Sequence, residues 1–388
     1  MPFNTINLVD STLREGEQFA RARFTTDQKI TIARTLDQFG VDYIEATSPV
    51  ASPQSEHDLR TLTGLPLNAR ILAHTRCTLH DALHAVDCGV DGVNLLFGTS
   101  GLLREWSHGR TVEQIVDEAT VVIRALQEAG VEVRFSCEDA LRTDRADLLR
   151  IFRAVDALGI QRVGIADTVG IATPREIERL VAEVRANVGC DIEFHGHNDG
   201  GCAIANTFAA WEAGATHLDT TVLGIGERNG IASLSGIVAR LYLSAPEVLA
   251  PYHLHVLLEL DALVAGYVGV EVPFNSCITG ETAFTHKAGL HTKAVLRQPA
   301  TYEALDPAIF GRERSVLIGH HLTGRHAVAE RARELGLDLG REALRAVTHE
   351  IKARADVAPL SSDEVDALLV ALVARPAHPS TGVAFGGQ

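Results

Sequence analysis

The chain has 388 residues, of which 46% are hydrophobic and 22% charged, and its formal net charge is -15. This size allows one large domain with an appendage or two ordinary domains, and the composition is that of a globular protein. A general nucleic-acid surface needs a basic face. We therefore expect no nucleic-acid partner for so acidic a chain.

The six cysteines are scattered without a Cys-x-x-Cys pair, which is typical of free thiols in a reducing compartment. The N-terminal MPFNTINLVD lacks the basic start and the long apolar stretch of a signal peptide. No apolar run reaches the roughly 18 residues that a membrane span needs. We therefore expect a soluble cytoplasmic protein with no membrane partner.

Predicted strands and helices alternate from the N-terminus onward. The first helix begins at about Thr25, where Thr25 and Gln28 fit a capping box, and it ends at Gly40. Similar capping boxes mark the helices that begin at Thr111 and Thr173. The predicted strands cover residues 6–10, 42–46, 71–74, 93–97, 131–136, 162–166, 191–199 and 217–221.

Eight strands alternating with helices over roughly 240 residues predict an α/β fold of the (β/α)8 TIM-barrel class. A doubly wound sheet is the alternative, but Leu-Arg-Glu-Gly-Glu-Gln follows the first strand where a glycine-rich dinucleotide fingerprint would stand. We expect a TIM-barrel catalytic domain at 1–245. A linker or lid and mostly helical subdomains would follow at 246–375, with a disordered tail at 376–388.

The seventh predicted strand carries the sequence His195-Gly196-His197. Residues two apart on a strand point to the same side, so two imidazoles can face one point. Such a pair suits a divalent metal that takes oxygen ligands from elsewhere. The pair alone is equally typical of two hydrogen-bonded histidines at a strand end, so its interpretation depends on the other segments.

In a TIM barrel the active site lies at the C-terminal ends of the strands. Glu15 follows the first strand, and with His195 and His197 it would give a carboxylate and two imidazoles with open positions for a substrate. A metal beside positively charged groups favours carbon–carbon chemistry on a small dianionic oxo acid, whose carbonyl they would polarise. The polar residues at the predicted strand ends are Arg14, Glu15, His74, Asn94, Arg134, Ser136, Glu138, Thr168, His195 and His197.

Three motifs resemble the acyl-CoA-condensing synthases of the DRE-TIM metallolyase group, which make 2-isopropylmalate, citramalate or homocitrate. These motifs are Asp10–Gln18, His195–Asp199 and Gly224–Gly230. Residues 51–55, 134–139 and 279–291 resemble homocitrate synthases most, those of bacteria above all, and the likeness extends to about residue 370. Hydroxymethylglutaryl-CoA lyases have a catalytic cysteine in the glycine-rich loop, and its absence from Gly-Ile-Gly-Glu-Arg-Asn-Gly favours synthesis over cleavage.

The resemblance implies condensation of acetyl-CoA with 2-oxoglutarate to homocitrate and CoA, the first step of lysine synthesis through 2-aminoadipate. It also implies a homodimer, because in relatives the partner subunit supplies the segment that follows the barrel. The alternatives are a 2-isopropylmalate or citramalate synthase, a homocitrate synthase for nitrogenase cofactor assembly, a lyase, and a non-catalytic metal-binding barrel. His74 argues against the sibling synthases, because an oxo acid with an apolar tail would need an apolar residue there.

The resemblance further implies how the metal and the oxo acid are held. Glu15, His195 and His197 would bind a divalent metal, magnesium or manganese, with zinc as the alternative. Arg14 would lie at the keto oxygen and Thr168 at the C1 carboxylate. The residues implied at the distal carboxylate are His74, Arg134 and Ser136.

A base for the acetyl group is implied in the segment after the barrel. The resemblance assigns to His291 the removal of a methyl proton from acetyl-CoA, with Glu138 and Tyr302 assisting. The methyl group of a thioester is a very weak acid, so its base must be held close to the carbon and away from bulk water. Spacing alone would make His291 an ordinary surface histidine.

Asn94 departs from the pattern of the lysine-inhibited relatives, which have an aspartate at this position of the fourth strand. That aspartate pairs with the lysine side chain. Asparagine keeps the capacity to hydrogen-bond but loses the charge, and hydrogen bonds to charged groups are the stronger class. We therefore hypothesise that lysine, the expected inhibitor, acts only weakly here.

Overall fold

The structure is a computed structural model that describes residues 6–373. Its first compact unit extends to residue 283 and includes residues 309–311, and we call it the barrel unit. The second, the C-terminal unit, comprises residues 284–308 and those from 312 onward. The tail expected at 376–388 lies outside the described residues.

Eight parallel strands form a closed barrel in sequence order, and the first strand pairs with the last. The prediction of a (β/α)8 barrel followed by a mostly helical region is therefore confirmed. The strands are β1 (Asn7–Asp10), β2 (Tyr43–Ala46), β3 (Arg70–Arg76), β4 (Gly92–Gly98), β5 (Glu132–Glu138), β6 (Arg162–Asp167), β7 (Asp191–Gly196) and β8 (His217–Thr220).

Most helices of the barrel unit begin where the sequence has N-capping residues. The predicted capping boxes at Thr25 and Thr111 are present, with each threonine oxygen accepting a backbone N–H three residues later. At the third, Thr173, the backbone N–H and the hydroxyl both donate to the side chain of Glu176. The helices are α1 (Thr26–Phe39), α2 (Pro53–Thr63), α3 (Leu79–Asp87), α4 (Gly101–Leu103), α5 (Val112–Glu128), α6 (Arg145–Asp156), α7 (Pro174–Arg185), α8 (Ala203–Glu212), α9 (Leu234–Ser244) and α10 (Leu257–Val268). Because α10 packs against α1, the barrel unit continues past residue 245, where the strand–helix alternation ends.

The apolar core lies between the strands and the surrounding helices. Strand β5 shows how this arrangement places the polar residues. Phe135 is fully buried, while its neighbours Arg134 and Ser136 line a cavity together with Glu138. Because residues two apart on a strand share a face, one face of β5 packs on helices and the other supplies a polar barrel interior.

An ion network fills the barrel at the N-terminal ends of the strands. Arg162 is 1% exposed, its Nε donates to Glu193 at 3.2 Å, and its Nη1 contacts Glu132. The guanidinium lies over the ring of Tyr43, 4.6 Å from its centroid. Burial lowers the pKa of the neighbouring His217 to about 2, so this imidazole is neutral. Charged side chains at this end are therefore paired and structural.

The C-terminal unit consists of a short parallel strand pair and helices around a small apolar core. Its elements are β9 (Thr285–His286), α11 (Gly289–Val295), β10 (Ser315–Val316), α12 (Arg325–Glu334), α13 (Arg341–Ala355) and α14 (Ser362–Val373). The core includes Val328, Ile351 and Leu369, which are all fully buried. Among residues 6–373, no helix is long and apolar enough to span a membrane.

Candidate active site

A cavity of about 260 Å³ lies at the C-terminal ends of the barrel strands. It collects nearly all the polar residues that the sequence placed at those ends; Asn94, which is fully buried, does not line it. Gln18, Glu227 and Arg228 also line the cavity; they lie within the motifs noted in the sequence, but no role was predicted for them. The predicted residues that line it are Arg14, Glu15, His74, Arg134, Ser136, Glu138, Thr168, His195 and His197.

Glu15, His195 and His197 form a buried group of metal-ligand type. One ligand atom from each lies within 4.8 Å of the others, and the two imidazole centroids are 5.0 Å apart. Glu15 accepts a hydrogen bond of 2.7 Å from the backbone N–H of Glu227 and one of 2.5 Å from Arg14 Nη1. The carboxylate is thus fixed close to the two histidines, because only β8 lies between β7 and β1, the strand that Glu15 follows.

The protonation states of the three residues fit a divalent cation. Burial lowers the pKa of both His195 and His197 to about 4, which leaves both imidazoles neutral. Burial alone would raise the pKa of Glu15, but Arg14 and the two histidines lower it below its ordinary value. Neutral imidazoles and an ionised carboxylate are the forms that bind metal, so the donor set is ready for an ion without proton release.

The glycine-rich loop after β8 closes over Glu15. A Cβ atom on Gly226 would lie 2.6 Å from Glu15 Oε1, which is closer than real Cβ contacts allow. Only glycine therefore lets the loop come close enough for the Glu227 N–H to reach the carboxylate. The loop motif is explained by this approach, and no cysteine is involved.

Asp219 on β8 orients His195 and was missed by sequence reasoning. Its Oδ2 lies 2.7 Å from His195 Nδ1, and its Oδ1 accepts a hydrogen bond of 2.5 Å from the hydroxyl of Ser11. A carboxylate at Nδ1 fixes the tautomer in which Nε2 is the available ligand atom. The sequence did contain a signal for the role of Asp219. It is a carboxylate inside a predicted buried strand, and a buried charge needs a partner.

Glu45 on β2 is a second carboxylate that the sequence reasoning missed. It is fully buried and accepts hydrogen bonds from Arg14 Nε at 2.5 Å and from the amide of Asn94. His74 Nδ1 lies 3.2 Å away and Arg134 Nη1 3.4 Å away. Burial by itself raises the pKa of Glu45, but Arg14 and His74 outweigh it and hold this pKa well below its usual range. Four predicted site residues, Asn94 among them, therefore converge on one anion.

The position of Arg134 depends on a glycine in the neighbouring strand. A Cβ atom on Gly164 would lie 2.7 Å from Arg134 Nε and 2.8 Å from Ser136 Oγ. With no side chain there, Arg134 also reaches Glu193, with 3.2 Å between Nη1 and Oε1. The arginine is only 2% exposed. It therefore contributes a fixed positive charge to the wall of the cavity.

Thr168 and Glu138 complete the rim. Thr168 Oγ1 accepts a hydrogen bond of 2.8 Å from the backbone N–H of Asp139, so its own proton is available to a ligand. Burial and the neighbouring Asp139 raise the pKa of Glu138. This carboxyl can therefore hold a proton at a higher pH than an exposed glutamate.

His291 and Tyr302 belong to the C-terminal unit and are described within it. Their rings stack with centroids 4.1 Å apart and an interplanar angle of 26°. Nearby, Glu303 accepts from both His286 and Arg314, at 2.8 and 2.6 Å. Both predicted residues are thus neighbours on one surface.

Family models cover most of the chain. The HMGL-like model matches residues 5–264, and the model described as homocitrate synthase post-HMGL domain-like matches residues 278–359. The hydroxymethylglutaryl-CoA lyase of Pseudomonas aeruginosa superposes with a TM-score of 0.62 at 21% identity, covering 76% of this chain and 98% of that chain. That likeness shows a shared fold.

Sequence relatives are more specific. The chain is 53% identical over 367 residues to the mitochondrial homocitrate synthase of Schizosaccharomyces pombe, which covers 94% of this chain and 88% of the relative. It is 39% identical over 351 residues to the probable 2-isopropylmalate synthase of Methanopyrus kandleri, which covers 90% of this chain and 70% of the relative. Likeness to the homocitrate synthase is therefore greater and more complete.

We predict that Asp219→Asn weakens metal binding about 10- to 100-fold, because outer-shell partners of a ligating histidine have effects of this size. Mn²⁺ affinity measured by calorimetry tests this. Asp191→Asn, at the exposed N-terminal end of β7, the strand that carries His195, is the matched control and should bind Mn²⁺ like the unmodified protein. Equal Mn²⁺ affinity in Asp219→Asn and the control would contradict the orienting role.

Proposed function

From the premise that the chain belongs to the homocitrate synthases of the HMGL-like family, we propose that it condenses acetyl-CoA with 2-oxoglutarate. The methyl carbon of acetyl-CoA adds to the keto carbon, and water then cleaves the thioester to give homocitrate and CoA. This reaction is the first step of lysine synthesis through 2-aminoadipate. A homocitrate synthase serving nitrogenase cofactor assembly would have the same chemistry.

The proposal rests on one cavity that has a group of metal-ligand type on one side and other charged and polar side chains on the other. Glu15 and the two histidines form one end, and His74, Arg134 and Ser136 line the same cavity. A dicarboxylic oxo acid needs such an arrangement, since each carboxylate requires charged or polar donors. A sibling synthase for an apolar oxo acid would need an apolar residue in place of His74. Arg134, which is already paired with Glu45 and Glu193, could serve either substrate.

Glu15, His195 and His197 would hold the divalent metal of this enzyme family, for which we propose magnesium or manganese, with zinc as the alternative. A bound ion would supply Lewis-acid polarisation of the substrate's keto group. Arg14 would donate to the keto oxygen and stabilise the negative charge that develops there during attack. Thr168, whose hydroxyl proton is available, would donate to the C1 carboxylate.

His291 would remove the methyl proton of acetyl-CoA, with Tyr302 and Glu138 assisting. The stacking of His291 on Tyr302 supports this role, because it holds the imidazole in one orientation. The raised pKa of Glu138 supports a carboxyl that donates a proton or hydrogen bond to the thioester oxygen. As in relatives, the segment with His291 would come from the partner subunit of a homodimer.

A cytoplasmic location remains part of the proposal. It rests on the cysteines: all six are free, and three of them are buried. Burial raises the pKa of Cys77 to about 12, which keeps that thiol protonated and unreactive.

A thiol-release assay with acetyl-CoA and a panel of 2-oxo acids tests the proposed activity. We expect kcat/KM for 2-oxoglutarate to exceed that for pyruvate and 2-oxoisovalerate by at least about 10³-fold, because buried polar groups would stay unpaired with the shorter acids. Omitting the oxo acid controls for simple thioester hydrolysis. CoA release with 2-oxoisovalerate but not 2-oxoglutarate would overturn the assignment.

We predict that His291→Ala lowers kcat by about 10²- to 10⁴-fold, the usual contribution of a general base. Mn²⁺ and 2-oxoglutarate affinities, measured by calorimetry, should be unchanged, which separates a catalytic loss from misfolding. His321→Ala removes an exposed histidine of the same unit and serves as the control. Turnover like that of the unmodified protein in His291→Ala would remove this residue from the base role.

We further predict weak lysine inhibition that Asn94→Asp strengthens by about tenfold, because a charge-assisted contact with the lysine ammonium would be gained. The inhibition constant against 2-oxoglutarate is measured in both proteins. KM for 2-oxoglutarate in the variant reports whether the added charge beside Glu45 disturbs the substrate pocket. Competitive inhibition of the unmodified protein by micromolar lysine would refute the hypothesis.

A further inference from the structure

A second group of metal-ligand type lies among the helices outside the barrel strands, between α2 and α3. It consists of Glu56 on α2, His84 on α3 and Cys88 at the C-terminal end of α3. One ligand atom from each lies within 4.8 Å of the others. The three donors are a carboxylate, an imidazole and a thiol, and the proposed mechanism assigns no role to any of them. This group is also separate from the residues that line the active-site cavity.

The spacing of residues along α3 brings a second imidazole to the same face. His80, His84 and Cys88 follow one another at intervals of four residues, and helical residues at this spacing are neighbours on the helix surface. The rings of His80 and His84 meet edge to face, with centroids 6.1 Å apart. The His80 side chain is 80% exposed, so it can reorient toward an ion without disturbing the core.

The carboxylate of Glu56 is held at this face with one oxygen toward His84. Its Oε2 lies 3.2 Å from His84 Nε2, while its Oε1 accepts a hydrogen bond of 3.0 Å from Arg60 Nε. Arg60 Nη1 also donates to the backbone carbonyl of Asp87 at 2.5 Å, which ties α2 to the last turn of α3. Hydrogen bonds from Arg60 and His84 lower the pKa of Glu56. An ionised carboxylate oxygen is therefore already directed at the imidazole.

Cys88 supplies the donor on the buried side of the group. It is only 3% exposed, whereas the side chains of His84 and Glu56 are 28% and 35% exposed. Thr63 on α2 donates to the Cys88 carbonyl at 2.7 Å, so both helices fix the backbone at this position. Burial raises the pKa of the Cys88 thiol, which is therefore protonated until an ion binds. On binding, the S–H bond is replaced by a sulfur–metal bond and the proton passes to solvent.

We propose that Glu56, His84 and Cys88 bind a thiophilic divalent cation of the Zn²⁺ class, and that His80 is the fourth ligand. Thiolate and imidazole donors favour such ions, whereas Mg²⁺ and Mn²⁺ prefer oxygen donors. Zinc–ligand distances of about 2.0–2.3 Å place tetrahedral donors roughly 3.5 Å apart, so small side-chain movements suffice to close the site. The carboxylate and the thiolate together balance the two charges of the ion, which Arg60 alone would repel.

A bound ion would cross-link two consecutive helices of the barrel unit. Because the ion binds the folded arrangement of α2 and α3 and not the unfolded chain, it stabilises the folded state. The C-terminal end of α3 leads into the N-terminal end of β4, whereas the active site lies at the C-terminal ends of the strands. The outer site is therefore structural, and its loss should leave kcat for the proposed reaction unchanged.

Titration of the full-length protein with Co²⁺ tests this site, because a Co²⁺ ion bound by a thiolate gives a charge-transfer band in the near ultraviolet. The proposed barrel ligands, Glu15 and two histidines, contain no sulfur, so Co²⁺ in the barrel contributes nothing to this band. We expect the unmodified protein to show the band and Cys88→Ser to lose it. Cys277→Ser removes an exposed thiol and is the control that should keep the band.

His84→Ala is a second variant that leaves the buried thiol in place, so it carries the test if Cys88→Ser is unstable. We expect Co²⁺ affinity, read from the band, to fall about 100-fold or more in His84→Ala, since outer-shell partners alone contribute about 10- to 100-fold. His80→Ala should weaken binding by about tenfold, because an exposed ligand must first be ordered. Zn²⁺ should displace Co²⁺ and remove the band, whereas excess Mg²⁺ should leave it unchanged.

A missing thiolate band at saturating Co²⁺ in the unmodified protein would overturn the inference. A band that persists in Cys88→Ser, or an unchanged Co²⁺ affinity in His84→Ala, would also overturn it, because the ion would then be bound elsewhere. Unchanged affinity in His80→Ala would remove that residue from the ligand set. None of these outcomes depends on acetyl-CoA or an oxo acid, so they are distinguishable from a failure of the proposed function.

Discussion

The site depends on one buried anion, the carboxylate of Glu45. A carboxylate removed from water costs several kcal/mol unless charged donors surround it, and this one is fully buried. Arg14, His74 and Arg134 lie around it together with the amide of Asn94. These residues come from different strands or, for Arg14, from the turn after β1, so their common partner fixes their positions relative to one another. Losing any one donor would affect the orientation of the others.

Arg14 transmits this constraint to the metal-ligand group. Its Nε binds Glu45 and its Nη1 binds Glu15, both at 2.5 Å, while Nη2 lies 3.5 Å from Asp219. Burial would lower the pKa of Arg14, but these carboxylates outweigh burial and raise it, so the guanidinium stays charged. The Arg14 side chain therefore contacts the carboxylates of Glu15, Glu45 and Asp219 at the same time. Ion pairs through Arg14 therefore link the metal-ligand group to the residues around Glu45.

The sequence allowed the barrel and most of the cavity wall to be predicted, because both follow from periodicity. On the seven-residue strand β5, alternation separates Arg134 and Ser136 from the apolar face. Strands β2 and β8 have only four residues each, too few for an alternation of polar and apolar residues to be recognised. Glu45 and Asp219 lie on these short strands, and their partners are distant in sequence. Their roles required the closed barrel, which brings β2 and β8 to either side of β1.

Resemblance, rather than periodicity, singled out His291. It lies on the seven-residue helix α11, whose spacing carries no information about a site. The end of the barrel unit could not be predicted from the sequence pattern for a related reason. Strand–helix alternation ends after β8, but α10 is a helix without a strand before it and still packs against α1. A pattern that stops marks the end of a repeat, and only packing shows where a compact unit ends.

The same central anion gives the Asn94 substitution a consequence for the substrate as well as for an inhibitor. An aspartate at this position would place a second buried carboxylate against Glu45, and like charges in contact oppose each other's ionisation. The asparagine instead gives Glu45 one more hydrogen-bond donor. With one negative charge fewer beside the cavity, a dianionic oxo acid meets less repulsion, and a cationic inhibitor loses an attractive partner. Under the proposed function, a neutral side chain beside the cavity would therefore favour 2-oxoglutarate and disfavour lysine as an inhibitor.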